Sequence, residues 1–338
     1  MLSIFALLMI FLLICITVSA GASDASGAIT GCMLTRSMTP SLSVKAASVC
    51  MLIGGSAGAL SGMRVAMTFY GIADLGENTS RSLIALCCAL LSTLIWSLFA
   101  HSLCIPTSES HALLSSLTGA ALANTHSIRA IKGDEWRILL FGFALSTVPS
   151  FLIGFIFNAI LRTLLLRSDR RRATGHFRRS QKWSALWSAC VCGAQDTQKF
   201  AGIYMLGLSF CAKSTQMNGK PTFFIILLCS FSLSVGALLS SRRAVKRVGT
   251  RLCELDAHEY GAAGAASSMT TTVCTILGLP ADLLQARACA FLGAGLLRKR
   301  SSNARAVLQI LGAWLLTFPV CISLSFLLCS LAYTIPVL

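Results

Sequence analysis

Gly21-Ala22-Ser23-Asp24 closes the first apolar run of the chain, and Gly193-Ala194-Gln195-Asp196 repeats it 172 residues later. Ile105-Pro106 returns as Leu279-Pro280 after 174 residues, and Thr147-Val148-Pro149 returns as Thr317-Phe318-Pro319 after 170. Three landmarks in one order, at nearly one offset, argue for two homologous halves. Internal duplication with polar interruptions at matching positions is the signature of a secondary transporter.

Composition supports a membrane setting. Of 338 residues 55% are apolar and only 12% charged, and mean hydropathy is +0.75. The apolar residues fall into runs of about 17 to 25, the length that carries a helix across a bilayer core of about 30 Å. The run 2–20 lacks a basic n-region and leads into the repeat, so it reads as a first membrane helix rather than a signal peptide. The net charge of +16 could suggest nucleic acid. The basic residues, however, sit in short loops at 162–182, 241–251 and 298–305, which is the positive-inside pattern. No nucleic-acid partner is expected. The fifteen cysteines show no paired metal-ligand spacing and read as soft packing residues.

Apolar segments at about 2–20, 44–62, 82–104, 106–123 and 138–165 match those at about 183–211, 221–240, 257–278, 280–297 and 306–333. The fourth of each half begins with Pro and is short, so the third and fourth form either two crossings or a re-entrant hairpin. Either way the crossing count per half is odd, and tandem odd repeats are inverted. The expected fold is an all-α polytopic membrane protein with two inverted-topology repeats. Residues 1–165 form the first repeat, 166–182 a basic cytoplasmic linker, and 183–338 the second repeat. The three basic loops share one side, cytoplasmic by the positive-inside rule.

Asp24 and Asp196 carry the chemistry. A carboxylate at membrane depth is costly unless paired, protonated or cation-bound, and such groups mark ion and substrate paths. The small residues around them are expected to let the helices break and free carbonyls for a cation. Lys199, three residues after Asp196, reads either as its ion-pair partner or as an anion contact. Pro106-Thr107-Ser108-Glu109-Ser110-His111 combines a helix start, with its free N–H groups, and several hydroxyls, which suits an oxyanion. Its second copy, Pro280-Ala281-Asp282-Leu283-Leu284-Gln285, has no hydroxyl.

These strings resemble the PiT-type inorganic phosphate transporter family, whose halves each carry Gly-Ala-Asn-Asp and Pro-Val-Ser-Thr-Thr-His. Gly193-Ala194-Gln195-Asp196-Thr197-Gln198-Lys199 is similar to the bacterial second-half form, and Ala313-Trp314-Leu315-Leu316-Thr317-Phe318-Pro319 to the final helix. The likeness spans essentially the whole chain. It implies symport of phosphate with H⁺ or Na⁺. Asp24 and Asp196 would then handle the coupling cation, with Ser23 and Gln195 beside them, and would be metal ligands only if the ion is Na⁺; apart from the resemblance, a protonated Glu109 or Asp282 would make H⁺ the coupling ion. Thr107, Ser108, Ser110, His111 and Lys199 would contact the substrate. No cofactor other than Na⁺ is expected. The chain departs from the family at Ser23 and Gln195, which replace both motif asparagines. It departs further at Cys192, where bacterial forms often have His, at Glu109, and throughout Asp282–Gln285.

The expectation is a cation-coupled phosphate symporter, and not an enzyme, in the multi-pass setting of a bacterial cell membrane. A sulfate or other oxyanion permease of the same fold is the alternative, and a non-transporting membrane sensor or scaffold the third. An aspartyl protease built on Asp24 and Asp196 is disfavoured, because neither Tyr-Asp nor Gly-x-Gly-Asp occurs. Expected partners are an oxyanion and the bilayer, with a homodimer and a cytosolic regulator docking at 166–182 as further expectations.

Overall fold

The computed structural model describes residues 2–58, 62–76, 78–103, 107–165, 170–212, 223–240, 255–296 and 304–334. These form eleven α-helices, with no β-strand among the described residues: α1 (Leu2–Leu34), α2 (Pro40–Gly58), α3 (Arg64–Gly71), α4 (Thr79–Leu103), α5 (Glu109–Thr125), α6 (Gly133–Leu165), α7 (Arg170–Ala212), α8 (Phe223–Leu238), α9 (Ala257–Leu277), α10 (Leu283–Gly295) and α11 (Ala304–Thr334). The chain is a multi-pass helical membrane protein. Segments Ser3–Leu34, Pro40–Gly58, Thr79–Leu103, Gly133–Leu164 and Val307–Thr334 are long and apolar enough to cross a bilayer. Their outer faces carry Leu7, Phe11, Phe99, Leu152 and Leu315, all exposed, as a lipid-facing surface requires.

Helices α5 and α10 are different. At 17 and 13 residues they fall short of the roughly 20 needed to cross the hydrocarbon core. Most of their side chains are buried in protein, Ser110 through Ala121 without a break in α5. Each is preceded by a longer helix, α4 or α9, and each starts on a polar N-cap. In α5 the His111 N–H donates to Ser108 Oγ at 3.3 Å, and in α10 the Gln285 N–H donates to Asp282 Oδ1 at 3.1 Å. A buried short helix with its N-terminus inside the protein is how non-spanning backbone is tolerated at membrane depth. Pro106 itself lies outside the described residues.

The two halves pack through each other. Helix α1 lies against α8 and α2 against α7; α5 lies against α11 and α6 against α10. Exchanging α1 with α7, α2 with α8, α5 with α10 and α6 with α11 turns each of these contacts into its counterpart. The close approaches follow the same exchange. A Cβ on Gly21 would stand 2.2 Å from the Leu233 carbonyl oxygen, and one on Gly193 2.2 Å from that of Met51. A Cβ on Gly119 would likewise stand 2.2 Å from the Ile322 carbonyl oxygen, and one on Gly293 2.1 Å from that of Phe151. Small residues that let backbones touch are a general device of membrane helices, which gain no hydrophobic driving force from one another.

This corrects one expectation. Helices α1 and α7 do not break at their Gly-Ala-x-Asp strings; they run through them for 33 and 43 residues. The glycines serve close packing rather than helix termination, and the carbonyls around Asp24 and Asp196 remain committed to their helices. The stretch read as a linker also differs in part. Arg170–Lys182 forms the opening turns of α7, while 166–169 lies outside the described residues. The basic loop at 241–251 also lies outside them, as do residues 298–303 of the third basic loop.

Candidate functional site

The starts of α5 and α10 meet the middles of α1 and α7 at the centre of the molecule. There they line a partly open cavity. Its polar wall comprises Asp24 from α1, Glu109 and Ser110 from α5, Cys192, Gln195, Asp196 and Lys199 from α7, and Asp282 ahead of α10. Because α1 and α7 stay helical here, each presents only the residues of one face. That is why Asp196 and Lys199, three apart, appear together, while Ser23, next to Asp24, does not line the cavity.

Lys199 Nζ stands 2.8 Å from Asp196 Oδ1, and both side chains are buried. The ion-pair reading of Lys199 is therefore realised, on the wall of the cavity. Ligand atoms of Asp24, Asp196 and Cys192 lie within 4.8 Å of one another. Glu109 Oε1 accepts hydrogen bonds from Ser97 at 2.8 Å and Ser19 at 3.1 Å, which fixes the carboxyl group. Its Oε2 has no hydrogen-bond partner. Gln195 donates from Nε2 to Thr275 Oγ1 at 2.9 Å and to the Leu279 carbonyl at 3.2 Å, while its Oε1 is buried without a partner.

The expected hydroxyl cradle is divided. Ser110 lines the cavity, whereas Ser108 lies behind it, donating to the Asp282 carboxylate and capping α5. His111 is turned away: Gln285 Nε2 lies 3.1 Å from its Nδ1, and its ring packs between Phe143 and Phe318 with centroids 4.4 and 4.8 Å away. Thr107 is buried and does not line the cavity. The structure thus brings Asp24, Glu109, Ser110, Gln195, Asp196 and Lys199 together and leaves Ser23, Thr107, Ser108 and His111 outside the wall. It adds two residues. Cys192 was legible as a departure from the family pattern but read only as packing. Asp282 was legible as a departure from the hairpin motif and as a candidate proton carrier, yet its pairing with Ser108 needs the fold.

Four carboxyl groups and one ammonium surround this space. Charged carboxylates cannot share a buried cavity without protons or cations to offset them. The wall is also rich in acceptors, including the free oxygens of Gln195 and Glu109.

Comparisons with known proteins agree with this architecture. The model of the "Phosphate transporter family" matches residues 20–325. A "Probable low-affinity inorganic phosphate transporter" of Bacillus subtilis (strain 168) is 24% identical over 308 residues, covering 89% of each chain. A protein of the same description from Mycobacterium tuberculosis (strain ATCC 25618 / H37Rv) is 26% identical over 326 residues, 93% of this chain and 76% of the relative. Among solved structures, "The sodium-dependent phosphate transporter" superposes with a TM-score of 0.85 at 17% identity, over 98% of this chain and 99% of that one.

Proposed function

The chain belongs to the phosphate transporter family, and from that premise we propose that it carries inorganic phosphate across the cell membrane in symport with a cation. One observation carries the coupling: Asp24, Glu109, Asp196 and Asp282 line a cavity whose wall offers only the Lys199 cation among its described residues. An oxyanion entering that space adds negative charge to negative charge. It enters with a proton or cation that offsets the carboxylates, or it does not enter. Coupling then follows from electrostatics, because neither the anion nor its counter-charge is stable there alone.

The favoured ion is H⁺, with Na⁺ as the alternative. Na⁺ would be held by Asp24 and Asp196. The third group of that cluster is the Cys192 thiol, a poor ligand for a hard cation. The unbroken helices also keep their carbonyls to themselves. A proton needs no such shell and is readily shared between two carboxylates.

Phosphate is favoured over sulfate by the acceptors. Glu109 Oε2 and Gln195 Oε1 are buried without partners. Protonated phosphate brings O–H donors to such atoms, whereas sulfate at neutral pH has none and would leave them unsatisfied, at a cost of about 1–3 kcal/mol each. Ser110 and Lys199 supply donors on the same wall. Movement of the two halves about this fixed site would expose it to either side in turn.

The test is uptake of labelled phosphate by purified protein in liposomes, with tenfold unlabelled sulfate as competitor and Asp196→Asn as blank. Uptake that ignores sulfate and is absent from the variant supports the reading. Uptake of sulfate in place of phosphate would move the chain to the other oxyanion. Uptake of neither, by correctly inserted protein, would make it a non-transporting relative.

A further inference from the structure

Arg287 is the one charged residue of α10, in a helix that otherwise reads as apolar and small. It is buried at 4% exposure, and its Nη2 has no hydrogen-bond partner. Its counterpart 174 residues earlier is Leu113, which lines the central cavity. The arginine is therefore not part of the duplicated pattern. A guanidinium left short of partners at membrane depth is costly, and such a group marks a site unless something pairs it.

Arg287 borders a second, narrower and partly open pocket between α1, α7, α9 and α10. Gln181, buried at 2%, lines the same space. Thr35 Oγ1 stands 2.7 Å from its Oε1 and 2.8 Å from the Gly31 carbonyl, and Gln181 Nε2 has no partner. Two buried, unsatisfied donor nitrogens thus border one cavity, together with the hydroxyls of Ser184, Ser188 and Tyr260. No carboxylate lines it among the described residues. Two glycines keep it open: a Cβ on Gly31 would stand 2.9 Å from Gln181 Nε2, and one on Gly264 2.5 Å from Ser184 Oγ.

The place of this cavity is as telling as its chemistry. It is reached from the central one by about one helical turn on each shared helix: Asp24 to Ala28 on α1, Cys192 to Ser188 on α7, Leu283 to Arg287 on α10. Four residues of helix span about 6 Å. Further along α7 in the same direction come Lys182, Arg179 and Arg178, all exposed. An anion leaving the acidic central cavity would meet Arg287 and Gln181, and then this basic helix end.

We propose that the second cavity is an oxyanion station, in which Arg287 and Gln181 hold inorganic phosphate one helical turn beyond the central cavity, on the route to the basic end of α7. The proposal rests on the reading of the chain as a phosphate carrier. The planar guanidinium suits two oxygens of a tetrahedral anion, and Gln181 Nε2 donates to a third.

Equilibrium dialysis of the purified full-length protein against labelled inorganic phosphate tests it, with uptake into liposomes measured in parallel. Wild type is expected to bind two phosphates per chain. Arg287→Met, which keeps the volume and removes the charge, is expected to bind one. Arg287→Lys is expected to bind two, the second about tenfold more weakly. Gly264→Ala, which narrows the cavity and leaves the charges alone, is expected to lose the second phosphate too, so a folding defect of the methionine variant does not decide the outcome. A wild-type stoichiometry of one, unchanged in Arg287→Met, overturns the station; if uptake persists, the carrier reading stands without it. That result would leave Arg287 as a counter-charge for the Asp24 side of the molecule. No binding and no uptake of phosphate by wild type overturns both.

Discussion

Ser108 donates a hydrogen bond to Asp282, its own counterpart in the other half, 174 residues away. His111 meets Gln285 across the same interval, at 3.1 Å. The carboxylates of Asp24 and Asp196, equivalent by the Gly-Ala-x-Asp strings, approach each other beside Cys192. When equivalent residues of two related units touch one another, they lie on the axis that exchanges the units, as at an isologous interface. Of these three self-pairs, Asp24 and Asp196 both stand on the wall of the central cavity, and the other two lie beside or behind it. This gives the odd second hairpin a physical sense. Two serines at the 108 and 282 positions could pair in either direction, whereas with Asp282 the direction is set, Ser108 donating and the carboxylate accepting. Each also caps its own helix. The substitution that looks like decay in one half completes a pair with the other.

Ser108→Ala removes both roles at once. It uncaps α5, worth about 0.5–2 kcal/mol, and strips a buried carboxylate of a hydrogen bond, worth about 1–3 kcal/mol. Thermal unfolding in detergent is expected to drop by several degrees. Asp282→Ser, which restores the hydroxyl of the family motif and keeps a capping side chain, is expected to fold normally and retain phosphate uptake.

Lys199→Met is expected to be strongly destabilising, because it leaves Asp196 buried without its partner, a loss of about 3–5 kcal/mol for a broken buried pair. The double variant Lys199→Met, Asp196→Asn should recover most of the folded yield but none of the uptake. Equal yields for the single and double variants would show that the pair is not coupled. Yield by fluorescence-detected size exclusion is the measurement.

Gly21→Ala and Gly193→Ala are each expected to lower stability by about 1–3 kcal/mol through overpacking, since each new Cβ would fall 2.2 Å from a carbonyl oxygen of the facing helix. Gly133→Ala, at a position with open space around it, is the matched control. Unfolding midpoints that fall for the first two and hold for the third confirm that these glycines are packing contacts.

Much of this was legible in the chain before folding. The offset of about 172 argued for two matching halves, and the spacing of Lys199 from Asp196 left an ion pair and an anion contact open, of which the structure shows the pair. Asp24, Glu109 and Ser110 were all expected at the site and stand on one cavity wall. The rest was hidden for definite reasons. A glycine beside an aspartate signals a helix break and a close helix contact equally well, and only the approach of Leu233 to Gly21 decides for contact. The Ser108–Asp282 pair needs two hairpins to meet, which no local pattern reports. Arg287 stands apart from the basic residues that cluster in the loops and carry the topology signal. A single arginine within the apolar stretch 280–297 was the available signal.

Glu109→Gln removes one carboxylate and turns a lone acceptor into an amide that can also donate. Discrimination between phosphate and sulfate is expected to fall by about tenfold, the equivalent of ~1.4 kcal/mol, and the response of uptake to an imposed proton gradient to weaken. Competition by unlabelled sulfate in liposomes measures the first effect. Unchanged selectivity would remove Glu109 from substrate recognition.

The central claim is that phosphate moves only together with a cation that offsets the carboxylates of the cavity. The direct measurement is accumulation of labelled phosphate in liposomes without Na⁺, with the outside acidified relative to the lumen, against the same vesicles with no gradient. The account predicts transient accumulation above the outside concentration when the proton gradient is present, and none with Asp196→Asn. Phosphate that merely equilibrates, at the same rate with a proton gradient, a Na⁺ gradient or neither, would contradict it.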